Sequence, residues 1–270
     1  MKLSIVSLLM ATTLISCSKE NKSSSVVTNF ALTGSGQNAV AQTNFLNPFS
    51  WLIPTAVALS PAPLEDLNGA VINLNEAWIV LKKIQFSSQE SETSGEGNNY
   101  SAHYQGPFFI DLLSDAPVSF GEVSLPESGL RRVKMLLHKE NNVPSYAPAA
   151  LSGKSIYFNG IVNAYNFIYA ADDTTDFQIS GPNAVVPEES NDLLAVIRIA
   201  DVFKKIDLSG INADTIITSA SRFPAVNPCP AIHPTAPDLY TCFKMGIALE
   251  AKFGKDNGDK DLDGSDDIVN

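Results

Sequence analysis

Three aspartates near the C-terminus have the spacing of metal ligands. Asp259, Asp261 and Asp263 alternate with other residues, and Gly264 follows them directly. Carboxylates at alternate positions of a tight loop converge on one hard cation, and glycine allows the sharp turn that the loop needs. The pattern predicts a calcium loop, with Ca²⁺ as the cofactor. The predicted ligands are Asp259, Asp261, Asp263, Ser265 through its carbonyl, Asp267 and Asn270.

The spacing resembles the calcium loops of EF-hand proteins and of thrombospondin type 3 repeats. Asn270 stands where such loops carry glutamate or aspartate, so one bidentate carboxylate is lost. No second helix follows, and the predicted affinity is weak, about 10⁻⁴ to 10⁻³ M. A helix predicted just before the loop favours calcium, because it supplies half of a helix–loop unit. The alternative is an acidic tail that only adds negative charge.

The N-terminus carries a second chemical signal. Met1 and Lys2 provide a positive start, and residues 3–15 are uncharged and largely apolar. This layout predicts a secretory signal peptide at residues 1–16, since a membrane-spanning helix needs about 20 apolar residues. The segment ends in Leu14-Ile15-Ser16-Cys17. These four residues resemble the lipobox of bacterial lipoproteins.

The lipobox resemblance implies that the Cys17 sulfur receives a diacylglyceryl group and that Cys17 becomes the first residue of the mature protein. Acyl chains anchor such a protein to a membrane, at roughly 0.8 kcal/mol per buried methylene. Ser18, rather than aspartate, follows the cysteine. By the same resemblance this favours the outer membrane of the cell envelope over the inner one. The alternative is a plain signal peptide with an unmodified cysteine.

Two further cysteines, Cys229 and Cys242, remain once Cys17 is assigned to lipid. An export signal implies an oxidising compartment, where such a pair usually forms a disulfide. A bridge across a loop of this length would stabilise the fold by about 3 kcal/mol. The sequence therefore predicts a structural disulfide.

The composition excludes some classes of function. The formal net charge is −11 at pH 7, so a nucleic acid is not an expected partner. The sequence lacks the G-x-S-x-G, G-x-G-x-x-G, P-loop and H-E-x-x-H motifs. We therefore expect a non-enzymatic binding or structural module at a membrane surface, with an unidentified protein or glycan as its partner.

Paired acids support a different hypothesis. Asp172-Asp173 and Glu188-Glu189 lie in turn-rich segments, and two carboxylates could serve a polysaccharide hydrolase of the envelope. Acids adjacent in sequence point apart in strands and turns, which argues against this alternative. The three histidines, His103, His138 and His233, are too widely spaced to indicate a zinc hydrolase.

Short segments with period-two alternation of apolar and polar residues predict β-strands. The predicted strands are 77–86, 108–113, 120–125, 130–138, 155–162, 177–179 and 193–199. In the first strand, the residues predicted to share one face are Trp78, Val80, Ile84 and Phe86. In strand 130–138, the inward residues are predicted to be Val133, Met135 and Leu137, and the outward ones Arg132, Lys134 and His138.

Two helices are predicted among these strands. Asp201 is expected to cap a short helix that runs to Ile206. Apolar residues at helical spacing, including Phe243 and Ile247, predict a second helix from Leu239 to Phe253. Short strands with turn-rich connections favour a mainly β fold. We predict an antiparallel β-sandwich with a short C-terminal helix and an acidic loop.

Two segments resemble a family of secreted bacterial proteins catalogued as domain of unknown function 4382, with its lipoprotein relatives. The first, residues 74–86, holds Leu-x-Glu-Ala, and the second, residues 106–133, holds Asp-Leu-Leu and a Leu-Pro turn. Here Glu127-Ser128-Gly129-Leu130 replaces the tighter turn of the family. The likeness covers roughly residues 64–210. It implies a transthyretin-like or immunoglobulin-like β-sandwich but neither an activity nor a functional site.

The predicted organisation has six parts. They are a signal peptide at 1–16, a lipidated flexible tether at 17–29, a Pro-interrupted apolar segment at 30–63, a β-sandwich domain at 64–225, a disulfide loop and helix at 226–254, and an acidic calcium-loop-like tail at 255–270. The apolar segment is expected to pack against the domain in an extended form. An exposed partner-binding patch is the alternative.

Overall fold

The computed structural model describes residues 25–34, 64–88, 102–114, 116–127, 129–187, 192–256, 262 and 267–269. The strands are β1 (Ser25–Gly34), β2 (Leu64–Glu65), β3 (Val71–Ser87), β4 (Ala102–Asp111), β5 (Val118–Pro126), β6 (Leu130–Leu137), β7 (Ile156–Val162), β8 (Tyr165–Ala171), β9 (Asp176–Val185), β10 (Leu193–Ile197), β11 (Thr215–Thr218), β12 (Ala251–Lys255) and β13 (Asp267–Val269). The described helices are α1 (Ile199–Phe203) and α2 (Leu239–Glu250), and a 3-10 turn lies at Ala149–Leu151.

The strands form two sheets that face each other in a sandwich. The smaller sheet has the order β13-β12-β10-β1-β5, and the larger has the order β11-β8-β7-β3-β6-β9, with β2 and β4 also pairing with β3. Most neighbours are antiparallel, but β1 with β10 and β11 with β8 pair in parallel. The predicted mainly β sandwich with a short C-terminal helix is confirmed, and two of its strand pairs run parallel.

Strand β1 lies inside the smaller sheet, which corrects the predicted extent of the tether. Phe30 and Leu32 are fully buried, while Val27 is 47% exposed. The sequence assigns residues 17–29 to a flexible tether, but residues 25–29 belong to this strand. The polar residues that suggested a tether occupy mainly the solvent-facing positions of the strand. The remaining tether (17–24), the signal peptide (1–16) and residues 35–63 of the apolar segment lie outside the described residues.

Strand β12 corrects a second predicted boundary. The sequence separates a sandwich at 64–225 from a disulfide loop and helix at 226–254. In the structure, β12 pairs with β10 and so lies within the smaller sheet. The sandwich therefore uses strands from both ends of the chain, beyond the predicted domain limits.

Strand β3 is seventeen residues long, and different strands pair with its first and its second part. Its residues 72–79 pair with β7, and its residues 81–87 pair with β6. β4 also pairs along residues 78–86, so β4 and β6 lie on opposite edges of β3. The strand therefore connects the β7-β8-β11 part of the larger sheet with the β6-β9 part.

A register shift in β3 changes which of its residues face the main core. The shift lies at residues 81–83. Ile84 and Phe86 are buried in the main core, whereas Trp78 and Val80 belong to a separate apolar cluster. A β-bulge adds one residue to a strand and changes the phase of its period-two pattern. The prediction that these four residues share one face is therefore wrong.

Strand β6 follows its predicted alternation with one exception. Val133, Met135 and Leu137 are buried in the main core, as predicted. Arg132 is predicted to face outward, but its side chain is only 1% exposed. It lies in register with Ser87 of β3 and Ser180 of β9, inside the sheet. Alternation indicates the face of a residue, but not whether other chain segments cover that face.

The two helices lie against the β7-β8 part of the larger sheet. Phe203 of α1 and Phe243 of α2 contact each other, and both contact Phe158 and Phe167. The predicted cap at Asp201 is wrong, because α1 begins at Ile199 and Asp201 lies in its first turn. These aromatic contacts form the core between the two helices and the β7-β8 part of the larger sheet. We call this region the helix-covered half.

Helix α2 begins at the predicted residue but ends early. The Asp238 side chain caps it by accepting a hydrogen bond from the Thr241 N–H at 2.7 Å. The helix ends at Glu250 instead of Phe253, and β12 follows at once. Phe253 is fully buried and contacts Phe86 of β3 across the sandwich. Pairing of β12 with β10 satisfies its backbone, which a longer helix would have prevented.

Replacing Phe30 tests whether β1 belongs to the core. Phe30→Ala should lower the free energy of unfolding by about 3–5 kcal/mol, because it leaves a cavity where several aromatic rings meet. Val27→Ala on the same strand is the matched control and should cost less than about 1 kcal/mol. Urea unfolding of both variants measures the difference. Equal losses would contradict the inward placement of Phe30.

Candidate functional site

The predicted calcium loop lies in the connection between β12 and β13. These two strands pair antiparallel, with Lys255 in register with Asp267. A strand therefore leads into the loop instead of the expected helix, which removes the helix–loop argument for calcium. The predicted ligands outside the described residues are Asp259, Asp261, Asp263, Ser265 and Asn270. Of Asp267, the backbone alone is described.

The described residues of this connection are held against β10. Leu262 is fully buried and packs with Leu194. The Arg198 guanidinium donates a hydrogen bond to the Leu262 carbonyl oxygen. Asp256 is buried, and its N–H donates to the Asp192 carbonyl oxygen at 3.0 Å. The connection is thus attached to the sheet at its start and near its middle.

Within the described part of the chain, no group of three or more His, Cys, Asp or Glu side chains could hold a metal ion. The acidic connection between β12 and β13 therefore remains the place where calcium is predicted.

A second polar group lies where β8 ends beside the start of α2. We call Asp173, Tyr240, Lys244, Arg222 and Asp238 the Asp173 cluster. The Tyr240 hydroxyl donates to Asp173 Oδ2 at 2.7 Å, and Lys244 Nζ lies 3.1 Å from Asp173 Oδ1. The Arg222 guanidinium lies 4.9 Å from the centre of the Tyr240 ring, and its Nε is 3.5 Å from Asp238 Oδ2. Both carboxylate oxygens of Asp173 are therefore engaged.

Tyr169 lies beneath the Asp173 cluster. It is fully buried, and its ring centre is 5.5 Å from that of Tyr240. Its hydroxyl has no hydrogen-bond partner among the described residues. Burial, and then the charges nearby, raise the pKa of Tyr169 well above its usual value. Burial and the hydrogen bond to Asp173 raise the pKa of Tyr240 in the same direction. Both hydroxyls therefore keep their protons at neutral pH.

The acids of the hydrolase hypothesis have structural partners where they are described. A hydrogen bond with Ser219 is the main cause that lowers the pKa of Asp172, whereas a general acid at neutral pH needs a raised pKa. Asp173 is bound by Tyr240 and Lys244. Glu188 and Glu189 lie outside the described residues. The geometry of Asp172 and Asp173 thus offers the hydrolase hypothesis no support.

The three histidines lie in different elements. His103 belongs to β4. His138 Nε2 is 3.5 Å from Glu140 Oε2 just after β6. His233 Nδ1 accepts from the Thr235 N–H in the loop before α2. Their separate surroundings match the wide spacing seen in the sequence.

Sequence reasoning named Asp173 but missed its partners. Tyr240 and Lys244 are four residues apart on α2, so one helix face presents both side chains. That spacing is the local signal that could have indicated them. Arg222 and Tyr169 come from distant parts of the chain, and tertiary packing alone brings them to the cluster.

Cys229 and Cys242 form the predicted disulfide, with their Cα atoms 5.8 Å apart. Both residues are fully buried. Cys242 lies near the start of α2, so the bond attaches the preceding loop to the helix beside the Asp173 cluster. Cys17, the predicted lipid site, lies outside the described residues. In the described ranges, no helix has the length and apolar character to cross a membrane.

Two conservative substitutions test the Asp173 cluster. Tyr240→Phe should lower the free energy of unfolding by about 1.5–3 kcal/mol, because Asp173 loses a charge-assisted hydrogen bond. Tyr169→Phe should leave stability unchanged or raise it, since it removes a buried hydroxyl without a described partner. Chemical unfolding at neutral pH measures both effects. A larger loss for Tyr169→Phe than for Tyr240→Phe would contradict this assignment.

The raised pKa values of the two tyrosines also predict how the stability of the fold depends on pH. Both tyrosines have a raised pKa in the folded protein. Above the unfolded pKa of about 10 the unfolded chain therefore ionises first, and stability falls as pH rises toward the folded pKa values. Tyr240→Phe should therefore lose less stability than the unmodified protein between neutral and strongly alkaline pH. If both proteins lost the same amount of stability at alkaline pH, the result would contradict the burial of the Tyr240 hydroxyl.

Comparison with known proteins provides no relative: no protein-family model, no curated protein and no solved structure matches this chain. The resemblance to the family of domain of unknown function 4382 therefore stays a prediction.

Proposed function

We propose that this protein is a non-enzymatic lipoprotein of the cell envelope. It is a β-sandwich binding or structural module that a lipid on Cys17 holds at a membrane surface. The observation that carries this proposal is the lipobox-like Leu14-Ile15-Ser16-Cys17 at the end of a signal-peptide pattern. A membrane is thus its first partner, and a protein or glycan ligand is its second.

The cysteines support this assignment. The chain has three cysteines, and the disulfide uses Cys229 and Cys242. Cys17 is the remaining one. A buried disulfide is typical of exported proteins, since the cytosol keeps thiols reduced. By the resemblance in sorting, Ser18 favours the outer membrane.

The contacts within the Asp173 cluster support a non-enzymatic role. In the Asp173 cluster, Asp173 and Asp238 are each bound by cationic or hydroxyl groups. These contacts attach α2 to the larger sheet. Carboxylates held in this way contribute to stability and are poorly suited to move protons during a reaction.

We also propose that Ca²⁺ binds the connection between β12 and β13. The support is the Asp259-x-Asp261-x-Asp263-Gly264 spacing, together with the attachment of Leu262 to β10. An attached loop loses less conformational entropy on binding than a loose one. The ion would then stabilise the hairpin at the edge of the smaller sheet.

Replacing Cys17 tests the lipid anchor. The unmodified protein should partition into membranes and carry an N-terminal peptide with the mass of a diacylglyceryl group. Cys17→Ser should abolish both properties, because serine lacks the thiol that is acylated. Membrane fractionation and mass spectrometry of the N-terminal peptide provide the measurements.

The double variant Cys229→Ser with Cys242→Ser is the matched control, and it should keep the lipid. Membrane association that survives Cys17→Ser with an unchanged N-terminal peptide would contradict the lipoprotein assignment.

Calcium titration tests the second proposal. With the predicted affinity, about 10 mM calcium should stabilise the folded protein by about 1.4–2.7 kcal/mol, which raises the Tm by several degrees. Asp259→Asn with Asp263→Asn should remove this shift. Thermal unfolding with calcium, and with sodium chloride at equal ionic strength, measures it.

The double variant Glu65→Gln with Glu122→Gln is the control, because it removes the same amount of negative charge. Both residues are exposed and lie in strands away from the loop, so this variant should keep the calcium shift. If the shift is equally large in both double variants, calcium acts by general screening and the site is excluded.

A further inference from the structure

Several strand termini meet at the end of the sandwich where β1 begins. Ser25 pairs with Pro126 at the end of β5, and Leu130 at the start of β6 pairs with Val185 at the end of β9. Asp192 and Asp256 also lie here, and the hydrogen bond between their backbones joins the start of β10 to the end of β12. We call this region the anchored end.

The opposite end contains the helices and the tip of the larger sheet. β1 ends at Gly34, in register with Ile197 of β10, and α1 begins two residues later. Beyond that level lie the β7-β8 turn and the start of β11. We call this the helix end.

The chain before β1 is short. Eight residue steps separate Cys17 from Ser25, which span at most about 29 Å when fully extended. A flexible chain of this length has a typical end-to-end distance of about 15 Å. The ten residues of β1 make nine residue steps, which span about 30 Å. The link is therefore shorter than the strand that it precedes.

From this limit we propose that the anchored end faces the lipid surface and that the helix end points away from it. The proposal rests on the proposed acylation of Cys17. Turning the helix end toward the bilayer would require the link to run back along the whole of β1, and even a fully extended link is slightly shorter than that strand. The helices and the disulfide are then presented to the aqueous side.

Charge indicates which lipid surface the anchored end fits. Glu127 is exposed there, and three connections begin and end there, at 88–101, 186–192 and 256–266. In sequence, these connections hold many acidic residues and a single basic one, Lys260. Carboxylates are repelled by anionic head groups at low salt. The surface that fits is one of zwitterionic phospholipid.

Energy transfer to labelled lipid tests the orientation. A single cysteine is introduced at exposed Ser124, which pairs with Val27 near the anchored end, or at exposed Ala213, just before β11 at the helix end. Each thiol carries a donor dye in the full lipidated protein, on phosphatidylcholine vesicles that contain an acceptor on the head group. We expect several-fold higher transfer efficiency from Ser124→Cys than from Ala213→Cys.

A long Gly/Ser insertion before Ser25 is the matched control. It removes the limit on reach, so the difference between the two labels should shrink. Equal transfer from the two labels, or higher transfer from Ala213→Cys, in the protein with its own link would overturn the proposal.

Flotation of the same samples separates two kinds of failure. Protein that does not float with vesicles lacks the lipid anchor, and both the proposed function and the orientation are then wrong. Protein that floats without a difference between the labels keeps the anchor and overturns the orientation alone.

Discussion

The backbone hydrogen bonds of β3 hold the molecule together. At Val80 the strand donates to the Ser155 carbonyl and accepts from the His138 N–H, at 2.8 and 3.0 Å. One residue thus meets the start of β7 and the end of β6, and the larger sheet divides at this point. The segment between His138 and Ser155 leaves and returns here. Its Leu151 covers Val80 and Trp78 on the outer face.

This division explains why the protein has two differently covered halves. Beside β6, the smaller sheet covers the larger one, and Phe30 of β1 contacts Phe86 of β3 at 5.0 Å. Beside β7, the two helices take the place of a second sheet, with Phe243 at the centre of the aromatic contacts. The register shift in β3 changes which alternate residues of the strand face the core. The strand can therefore bury side chains in both halves.

The polar groups follow the same division. In the helix-covered half, Asp173 and Asp238 are engaged with Tyr240, Lys244 and Arg222, so their charge is used to attach α2. The acidic connections lie at the other end, where β1 begins. A short link to a lipid at that end would place the start of β1 near the membrane and the two helices away from it.

The sequence alone determined the features that depend on neighbouring residues. Alternation in β6 predicts Val133 and Met135 in the core, the number of cysteines predicts the Cys229–Cys242 bond, and the spacing of the aspartates suggests a calcium loop. The tertiary structure decided the rest. β1 is a strand because β5 and β10 lie on either side of it, and residues 251–255 leave the helix because β10 offers them partners. The bulge in β3 and the partners of Asp173 likewise depend on residues far apart in the chain. Hydrogen bonds and burial between distant segments set these features, and no local pattern of residue types records which segments will meet.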